Sequence, residues 1–565
     1  MSGSGVPGNA GRAAVALAAG IALADASIVT LGLPSILVEL DATVEGVALV
    51  LGVYTAVLAV ALLPAAGLAR RYGDAHLGAA GMALFALASV GCGASDSLAL
   101  LLVLRGVQAI GAAGALIAAF ELLDGSTAGP GRRMWVAASV FGIAVGPALG
   151  GALTQAFSWR AIFLAQAPLL IPGLVVAVRA ARAEVIPWSA DRDPDRPSYR
   201  LPPRPAIALA LLSAALTAVV FLVVLLLVSG WSIEPLAAAL AVSVLPLSAL
   251  LASRIRGDTE TRAVAGCLLV AGGVGCLALL PGASAWWTVA PQVLAGAGMG
   301  LALPALSGEL MPEHTRHDVS RLLSIRHAGI ALALAALAPL ISANLTTTID
   351  DAREQGTAAV LDAPLPPQNK IQIAPELFGG LDTDDPRGEL EESIEDARAG
   401  LDSEEADELA RLGDRLDRVV TDAVRSAFRT TFVVTAGLAL LAALILLWGA
   451  LAPAGGVARP AIAAASIAAL LTMVGYGAAF ADSERETVKI GDPCEDRDLP
   501  DTGGITGEFQ ELTLAALDRA ACNLDASREE LLLALFDDRL QERFEEEHGV
   551  DPRSITVLGP ALLGF

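Results

Sequence analysis

Residues 142–151 of this 565-residue chain read Gly-Ile-Ala-Val-Gly-Pro-Ala-Leu-Gly-Gly and lie inside an apolar segment. Gly142, Gly146 and Gly150 are four residues apart, so in a helix they share one face and let a neighbouring backbone approach closely. Pro147 removes a backbone N–H donor and favours a kink. Ordinary packing of small residues is the alternative, but the joint spacing is much rarer than Gly-x-x-x-Gly alone. The stretch predicts a membrane helix packed tightly on another helix.

Apolar segments of the length needed to cross a bilayer, about 20 residues, recur along the whole chain. Hydrophobic residues make up 55% of the sequence, which excludes an ordinary soluble protein. We therefore predict an all-α, polytopic membrane protein. The expected spans are 13–36, 46–68, 77–94, 98–120, 135–153, 161–181, 205–228, 235–253, 263–281, 286–308, 326–345, 430–451 and 460–480.

The net charge of −23 is unevenly distributed. Residues 346–428 hold 21 acids and 8 bases, and residues 482–565 hold the same numbers. The remainder of the chain carries a net charge of +3. The sequence therefore combines a slightly basic membrane body with two strongly acidic segments, and it offers no basic surface for nucleic acid.

Arginines fix the expected orientation, because loops rich in arginine stay on the cytoplasmic side. They cluster at one end of the spans, as at Arg12, Arg70, Arg132 and Arg254, whereas the opposite short loops offer little beyond Arg160. We expect a multi-pass protein of the cell membrane with a cytoplasmic N-terminus and an extracytoplasmic C-terminus. The expected parts are an N-terminal six-helix half (1–181), a cytoplasmic linker (182–204), five further spans (205–345), an acidic extracytoplasmic insert (346–428), two last spans (429–481) and an extracytoplasmic helical domain (482–565).

The two acidic segments are expected to be mainly helical. Residues 346–387 contain several prolines and glycines and are predicted to form loops, whereas residues 388–428 carry a helical apolar stripe. Ser527 followed by Glu530 is a capping box that opens a helix. Cys494 and Cys522 are the pair of cysteines in a segment expected to face an oxidising compartment, so we predict a disulfide between them.

Asp25 and Arg105 are ionisable residues inside predicted spans. A charged side chain at membrane depth is costly and usually serves ions, protons or a substrate. The alternative is a carboxylate that is merely paired within the bundle, or an arginine with a structural role. Arg12 and the small residues before Asp25 also resemble a signal peptide, but apolar character continues to Val38, which a cleaved signal does not need.

These motifs resemble those of a known family. The segment 142–151, including Gly151, resembles the antiporter motif of the major facilitator superfamily. Residues 25–34 resemble the first-span motif of its drug:proton antiporter branch, which typically has fourteen spans. Residues 105–113 look like that branch's fourth-span motif, and residues 159–168 are similar to its Trp-Arg signature, with Gln166 where asparagine is usual. The resemblance covers about residues 12–345 and implies a core of six plus six helices with an extra C-terminal span.

The chain departs from the family in its loop after the second span. The acid and the base of this gating loop have exchanged places, so that Arg70 and Arg71 precede Gly73 and Asp74. A swapped pair still serves as a gate if its partners have changed as well. The second departure is the span count, because the sequence predicts a twelve-span core plus one extra helix instead of fourteen spans. Loss of the central pair is the simplest explanation for the twelve-span core.

The resemblance implies a proton-coupled exporter of amphiphilic or cationic small molecules, of the multidrug type, that works by alternating access. Asp25 would exchange a proton for substrate, with Arg105 tuning it, and the proton gradient would supply the energy. We expect a monomer that is not an enzyme and uses no metal or other cofactor. Two alternatives remain: a non-transporting sensor or scaffold whose exterior segments bind an envelope partner, and an exporter of an envelope lipid.

Overall fold

The structure is a computed structural model. It describes residues 8–123, 129–183, 201–311, 314–365, 370, 394, 398, 403–450, 459–483, 488, 490–495 and 504–554. Most of the expected linker 182–204 and residues 366–402 of the insert, apart from 370, 394 and 398, lie outside that described part. The described residues form helices and no strands, as the sequence predicts.

The described residues of the N-terminal half form seven helices, because the first span is followed by a short additional helix. Thr43 and Ser97 begin the two helices that follow them by accepting hydrogen bonds from Gly46 N and Leu100 N. The helices of this half are α1 Asn9–Thr30, α2 Leu33–Glu39, α3 Val44–Tyr72, α4 Asp74–Gly93, α5 Leu98–Leu122, α6 Pro130–Ala156 and α7 Trp159–Ala183.

In the second half, the second span is divided at Ser243 into two helices. The 46-residue and 48-residue helices of this half are longer than a bilayer requires. The helices are α8 Pro203–Leu225, α9 Pro235–Val242, α10 Val244–Ala252, α11 Thr259–Leu277, α12 Ala285–Leu310, α13 Arg316–Leu361, α14 Ser403–Ala450 and α15 Arg459–Asp482.

Twelve helices of the described residues are long and apolar enough to cross a membrane. They do not include α6, a 27-residue helix at the position of the fifth predicted span. Together these helices occupy all thirteen predicted positions, and the chain is a multi-pass membrane protein.

Close glycine contacts recur at equivalent places in the two halves. A Cβ on Gly111 of α5 would lie 2.5 Å from the backbone N of Phe85 in α4. A Cβ on Gly298 of α12 would lie 2.4 Å from the carbonyl oxygen of Gly266 in α11. Helices four and three of each half thus meet backbone to backbone, which small residues make possible in membranes. The repeated contact supports the core of six plus six helices.

The chain divides into two compact units. The first, here called the membrane unit, comprises residues 1–228, 233–342 and 428–482. The second, here called the acidic unit, comprises residues 229–232, 343–427 and 483–565, against predicted boundaries of 346–428 and 482–565. The acidic segments on both sides of the last two spans therefore belong to one unit.

In the part that the structure describes, the acidic unit contains the end of α13, the start of α14 and three C-terminal helices. Ser527 Oγ accepts from Glu530 N at 2.9 Å and so begins the second of the three. Leu531 and Phe544 are buried in their small core. The three are α16 Gly504–Leu524, α17 Arg528–Phe536 and α18 Asp538–His548.

The prediction of loops over residues 346–387 is wrong for residues 346–361, which continue α13. This stretch contains no proline, and its charged residues Asp350 and Arg353 are paired within the acidic unit. Arg353 donates to Asp537 at 2.8 Å, while Asp350 accepts from Arg539 and Arg543 at 2.5 and 3.0 Å. These partners lie some 190 residues away in sequence, so local pattern could not reveal them.

Candidate functional site

Asp25 of α1 and Arg105 of α5 meet in the interior of the membrane unit. Arg105 Nη1 donates to Asp25 Oδ2 at 2.7 Å, and both side chains have no exposed surface. Arg105 Nε donates to the carbonyl oxygen of Val50 at 3.1 Å, which fixes the guanidinium on α3. Sequence predicted both residues as functional, and the structure brings them together as one ion pair.

Two glutamines complete the surroundings of the pair. Gln166 Nε2 donates to Asp25 Oδ1 at 3.1 Å, and Gln108 Oε1 accepts from Arg105 Nη1 at 2.6 Å. Gln108 Nε2 in turn donates to Gln166 Oε1 at 3.1 Å and to Ser89 Oγ at 2.8 Å. Helices α1, α4, α5 and α7 therefore contribute to one buried polar network. Gln108 and Gln166 lie within the motifs at residues 105–113 and 159–168 but were not predicted as site residues.

Aromatic rings cover the guanidinium. Arg105 Cζ lies 4.2 Å from the ring centroid of Tyr54 and 5.6 Å from that of Phe163, distances typical of cation–π contacts. Tyr54 OH donates to the carbonyl oxygen of Ala22 at 3.0 Å. Arg105 Nη2 is buried and makes no hydrogen bond with any residue that the structure describes. The pair is thus enclosed by protein, and one guanidinium nitrogen has no acceptor among the described residues.

The glycine and proline motif of α6 packs against α1 beside Asp25. A Cβ on Gly146 would lie 2.1 Å from Ser27 Oγ, and a Cβ on Gly150 would lie 2.2 Å from the carbonyl oxygen of Ile28. Pro147 and Gly142 lie within the same continuous helix. The motif therefore holds α1 where it presents its carboxylate.

Gly151 touches the second half. A Cβ there would lie 2.4 Å from Ala239 Cβ and 2.7 Å from the carbonyl oxygen of Pro235, both in α9. One turn further on, Gln155 donates to Glu234 at 3.0 Å. The two halves are thus in contact at the end of α6, on the face of the membrane unit that also carries Arg160.

At the other face, the swapped loop bridges the halves. Asp74 Oδ2 accepts from Arg316 Nη2 of α13 at 2.8 Å, and Arg316 Nε lies 3.4 Å from Glu121 Oε1 of α5. Gly73 joins α3 to α4 with a φ of 91°, which favours glycine. Arg70 and Arg71 are exposed. Of the predicted loop residues, Asp74 makes the contact with Arg316. Neither Arg316 nor Glu121, the second acid beside it, was predicted as a site residue.

A cavity of about 350 Å³ lies between the halves at this second face. Its wall is mostly apolar, with Phe120 and Trp135 from the first half and Leu209, Pro246 and Met299 from the second. Arg132 and Arg326 also line it. A cavity of this size suits a small molecule. No single sequence motif marked it, because its wall comes from seven helices.

The acidic unit holds the remaining predicted residues. Cys494 and Cys522 are joined in a disulfide, with their Cα atoms 5.0 Å apart. Among the described residues, Glu530, Glu547 and His548 are a group close enough to hold a metal ion, and His548 Nε2 lies 3.1 Å from Glu530 Oε1. Two of these three side chains are half-buried and one is exposed, as ordinary surface acids are.

Comparison with protein families gives a match to the Major Facilitator Superfamily over residues 15–339. Among curated proteins, the multidrug resistance protein Stp of Mycobacterium tuberculosis is 34% identical over 152 residues, 26% of this chain and 28% of that protein. The tetracenomycin C resistance and export protein of Streptomyces glaucescens is 34% identical over 201 residues, 33% of this chain and 37% of that protein. The chain thus spans about a third of the length of these relatives.

Comparison with solved structures concerns the fold alone. A bacterial homologue of the human lysosomal transporter Spinster, in an inward-facing and occupied conformation, superposes with a TM-score of 0.54 at 17% identity. The match covers 77% of this chain and 95% of that one. The unoccupied form of the same homologue gives a TM-score of 0.52.

Proposed function

The chain belongs to the Major Facilitator Superfamily, and from that premise we propose that it is a proton-coupled exporter of amphiphilic small molecules that works by alternating access. The observation that carries the proposal is the buried ion pair of Asp25 and Arg105 at 2.7 Å. Such a pair is expensive in a membrane interior and marks a functional pathway by default. Relatives named as drug efflux and export proteins agree with this direction.

Proton binding at Asp25 couples to movement through Arg105. Neutralising one partner of a buried pair leaves the other charge uncompensated, at a cost of about 3 to 5 kcal/mol. The protonated state must therefore rearrange until Arg105 finds water or another acceptor, and its spare Nη2 donor is the first group able to bind that water. Release of the proton restores the pair. A membrane potential contributes about 2.3 kcal/mol per charge per 100 mV to such a cycle.

The rearrangement is transmitted by contacts on α1 and α6. Because Gly146 and Gly150 leave no room between these helices, a displacement of α1 at Asp25 moves α6 with it. Helix α6 in turn contacts α9 of the second half through Gly151. Opposite, the bridge of Asp74, Arg316 and Glu121 has to open or close as the halves rock. Rocking of this kind exposes a site near the middle of the bilayer to each side in turn.

The test is uptake into inverted membrane vesicles energised by a proton gradient. Wild type and Asp25→Asn are compared on a panel of anionic, neutral and cationic fluorescent amphiphiles. Asp96→Asn, the same change at a carboxylate that is 95% exposed, is the matched control. Gradient-dependent uptake that is lost in Asp25→Asn and kept in Asp96→Asn supports the proposal. Gradient-driven uptake by Asp25→Asn contradicts the role of Asp25.

The acidic unit favours a second candidate function. It is a folded unit with its own core and ion pairs, larger than the loops that a transporter needs. A sensor or scaffold would use it to bind an envelope partner, and an exporter of an envelope lipid would use it to receive cargo. If no probe is taken up and the proton gradient is undisturbed by wild type, the sensor replaces the exporter as the leading function.

A further inference from the structure

We propose that the cavity between the two halves binds an anionic amphiphile, with an acidic head group at Arg326 and Arg132 and an apolar body along the remaining wall. The proposal deepens the proposed function by naming the charge of its cargo. The binding itself does not depend on transport, so the two can fail separately.

The first argument is the charge of the cavity wall. Arg132 and Arg326 both line the cavity, and no described lining residue is an aspartate or glutamate. Arg326 forms no ion pair or hydrogen bond with any residue that the structure describes. An arginine within a membrane helix bundle is costly unless it finds a partner. An anionic head group in the cavity is the partner that Arg326 lacks.

The second argument is that Asp25 is not available to a cation. One of its oxygens accepts from Arg105 at 2.7 Å, and the other accepts from Gln166 at 3.1 Å. A cationic cargo would have to displace Arg105 and leave that guanidinium buried and uncompensated. An anion at the arginine-lined wall leaves the pair intact, so recognition of cargo and uptake of the proton are separate events at separate residues.

The third argument is the composition of the rest of the wall. Trp135, Phe120 and Pro246 supply flat or rigid apolar surface to the same cavity as the two arginines. A guanidinium presents several N–H donors in a fixed plane and binds a carboxylate or sulfonate through two parallel hydrogen bonds. The cavity therefore pairs a head-group site with an apolar compartment of about 350 Å³, a size suited to small ligands.

The experiment measures binding to the purified full-length protein in neutral detergent. The probes share one dansyl-labelled undecyl chain and differ in the head group, which is a carboxylate, a primary amide or an ammonium. We expect the carboxylate to bind roughly tenfold more tightly than the amide, a difference of about 1.4 kcal/mol, and the ammonium to bind most weakly. Equal affinity for the three probes, or preference for the ammonium, overturns the proposal.

Single-residue variants test which arginine causes the preference for the carboxylate probe. Arg326→Gln should lose the preference for the carboxylate and keep the affinity for the amide, while Arg326→Lys should retain much of the preference. Arg256→Gln removes the same charge from an exposed residue of the same face and should change nothing. Equal losses in Arg326→Gln and Arg256→Gln would mean a general surface potential and overturn the site. If the protein prefers the carboxylate but shows no gradient-driven uptake, the proposed site stands and export is refuted. If gradient-driven uptake occurs but favours the ammonium, export stands and the proposed site is refuted.

Discussion

Arginine meets carboxylate in the interior of both units, but the stoichiometry differs. In the membrane unit Arg105 pairs with one acid among the described residues, Asp25. In the acidic unit the buried Arg528 is surrounded by three, with Nη2 at 2.8 Å from both Asp362 and Glu529 and Nη1 at 3.6 Å from Asp518. When Asp25 takes up a proton, Arg105 is left without a paired carboxylate. When one acid of the cluster takes up a proton, Arg528 keeps the other two.

This difference suits the two units to different tasks. Removing one partner of an isolated buried pair is strongly destabilising, because the remaining charge is unsolvated. A one-to-one pair therefore converts protonation into a large driving force for rearrangement. A cluster with several acids holds its arginine through changes in any one of them and stabilises a fixed fold.

The largest effect is expected where the membrane pair is broken. Asp25→Asn should lower the stability of the membrane unit by about 3 to 5 kcal/mol, since Arg105 keeps its charge without a counter-ion. Asp25→Asn combined with Arg105→Gln should recover most of that loss, yet remain inactive in vesicle uptake. The measurements are the thermal unfolding midpoint in detergent and gradient-driven uptake. A double variant no more stable than the single one would show that the pair does not act as one unit.

The cluster of the acidic unit should respond differently to loss of its two kinds of partner. Arg528→Met leaves Glu529, which is fully buried, among other acids and should cost about 3 kcal/mol. Asp362→Asn should cost about 1 kcal/mol or less, because that carboxylate is 48% exposed and two acids remain.

Hydrogen exchange of α16 to α18 in the full-length protein reads out both changes. Arg519→Met, on the exposed side of α16, is the control. A cost for Asp362→Asn equal to that for Arg528→Met would remove the contrast between the two units.

The helix contact beside the pair should be the next most sensitive point. Gly150→Ala places a Cβ 2.2 Å from the carbonyl oxygen of Ile28, so α1 must shift. Overpacking of this kind costs about 1 to 3 kcal/mol, and uptake should fall because Asp25 moves with its helix. Gly475→Ala, where nothing lies within 4 Å, is the matched control. Unchanged uptake by Gly150→Ala would mean that the position of α1 on α6 does not govern coupling.

Much of the fold could be predicted from sequence because a bilayer imposes length and polarity on each span. All thirteen predicted positions hold helices for that reason. The prediction failed where water replaces lipid as the solvent. Residues 346–361 carry charges and a glycine, and their helix depends on Asp350 and Arg353 pairing with α18 and the residue before it, contacts that no local pattern contains.

The candidate site, like the fold, could be predicted from the sequence only in part. Asp25 and Arg105 stand out because an isolated charge in an apolar span is costly. Gln166 and Arg316 do not stand out, since an uncharged amide or an arginine near a span end is common. Their roles follow from packing between helices that are distant in sequence. Gln166 is 141 residues from its partner Asp25, and Arg316 is 242 residues from its partner Asp74.

The smallest expected effect is an acid sensitivity confined to the acidic unit. Burial alone would raise the pKa of Asp537, but hydrogen bonds from Arg353 and from the backbone N–H groups of Leu540 and Arg539 outweigh it and hold that pKa below its usual range. A depressed pKa contributes stability above the unfolded value of about 3.9, and this stability is lost as pH falls through the folded pKa. Exchange protection of α18 should therefore decline below about pH 4, by about 1 kcal/mol, and Asp537→Asn should flatten that decline. A decline of equal size in Asp537→Asn would assign the acid sensitivity to the cluster around Arg528.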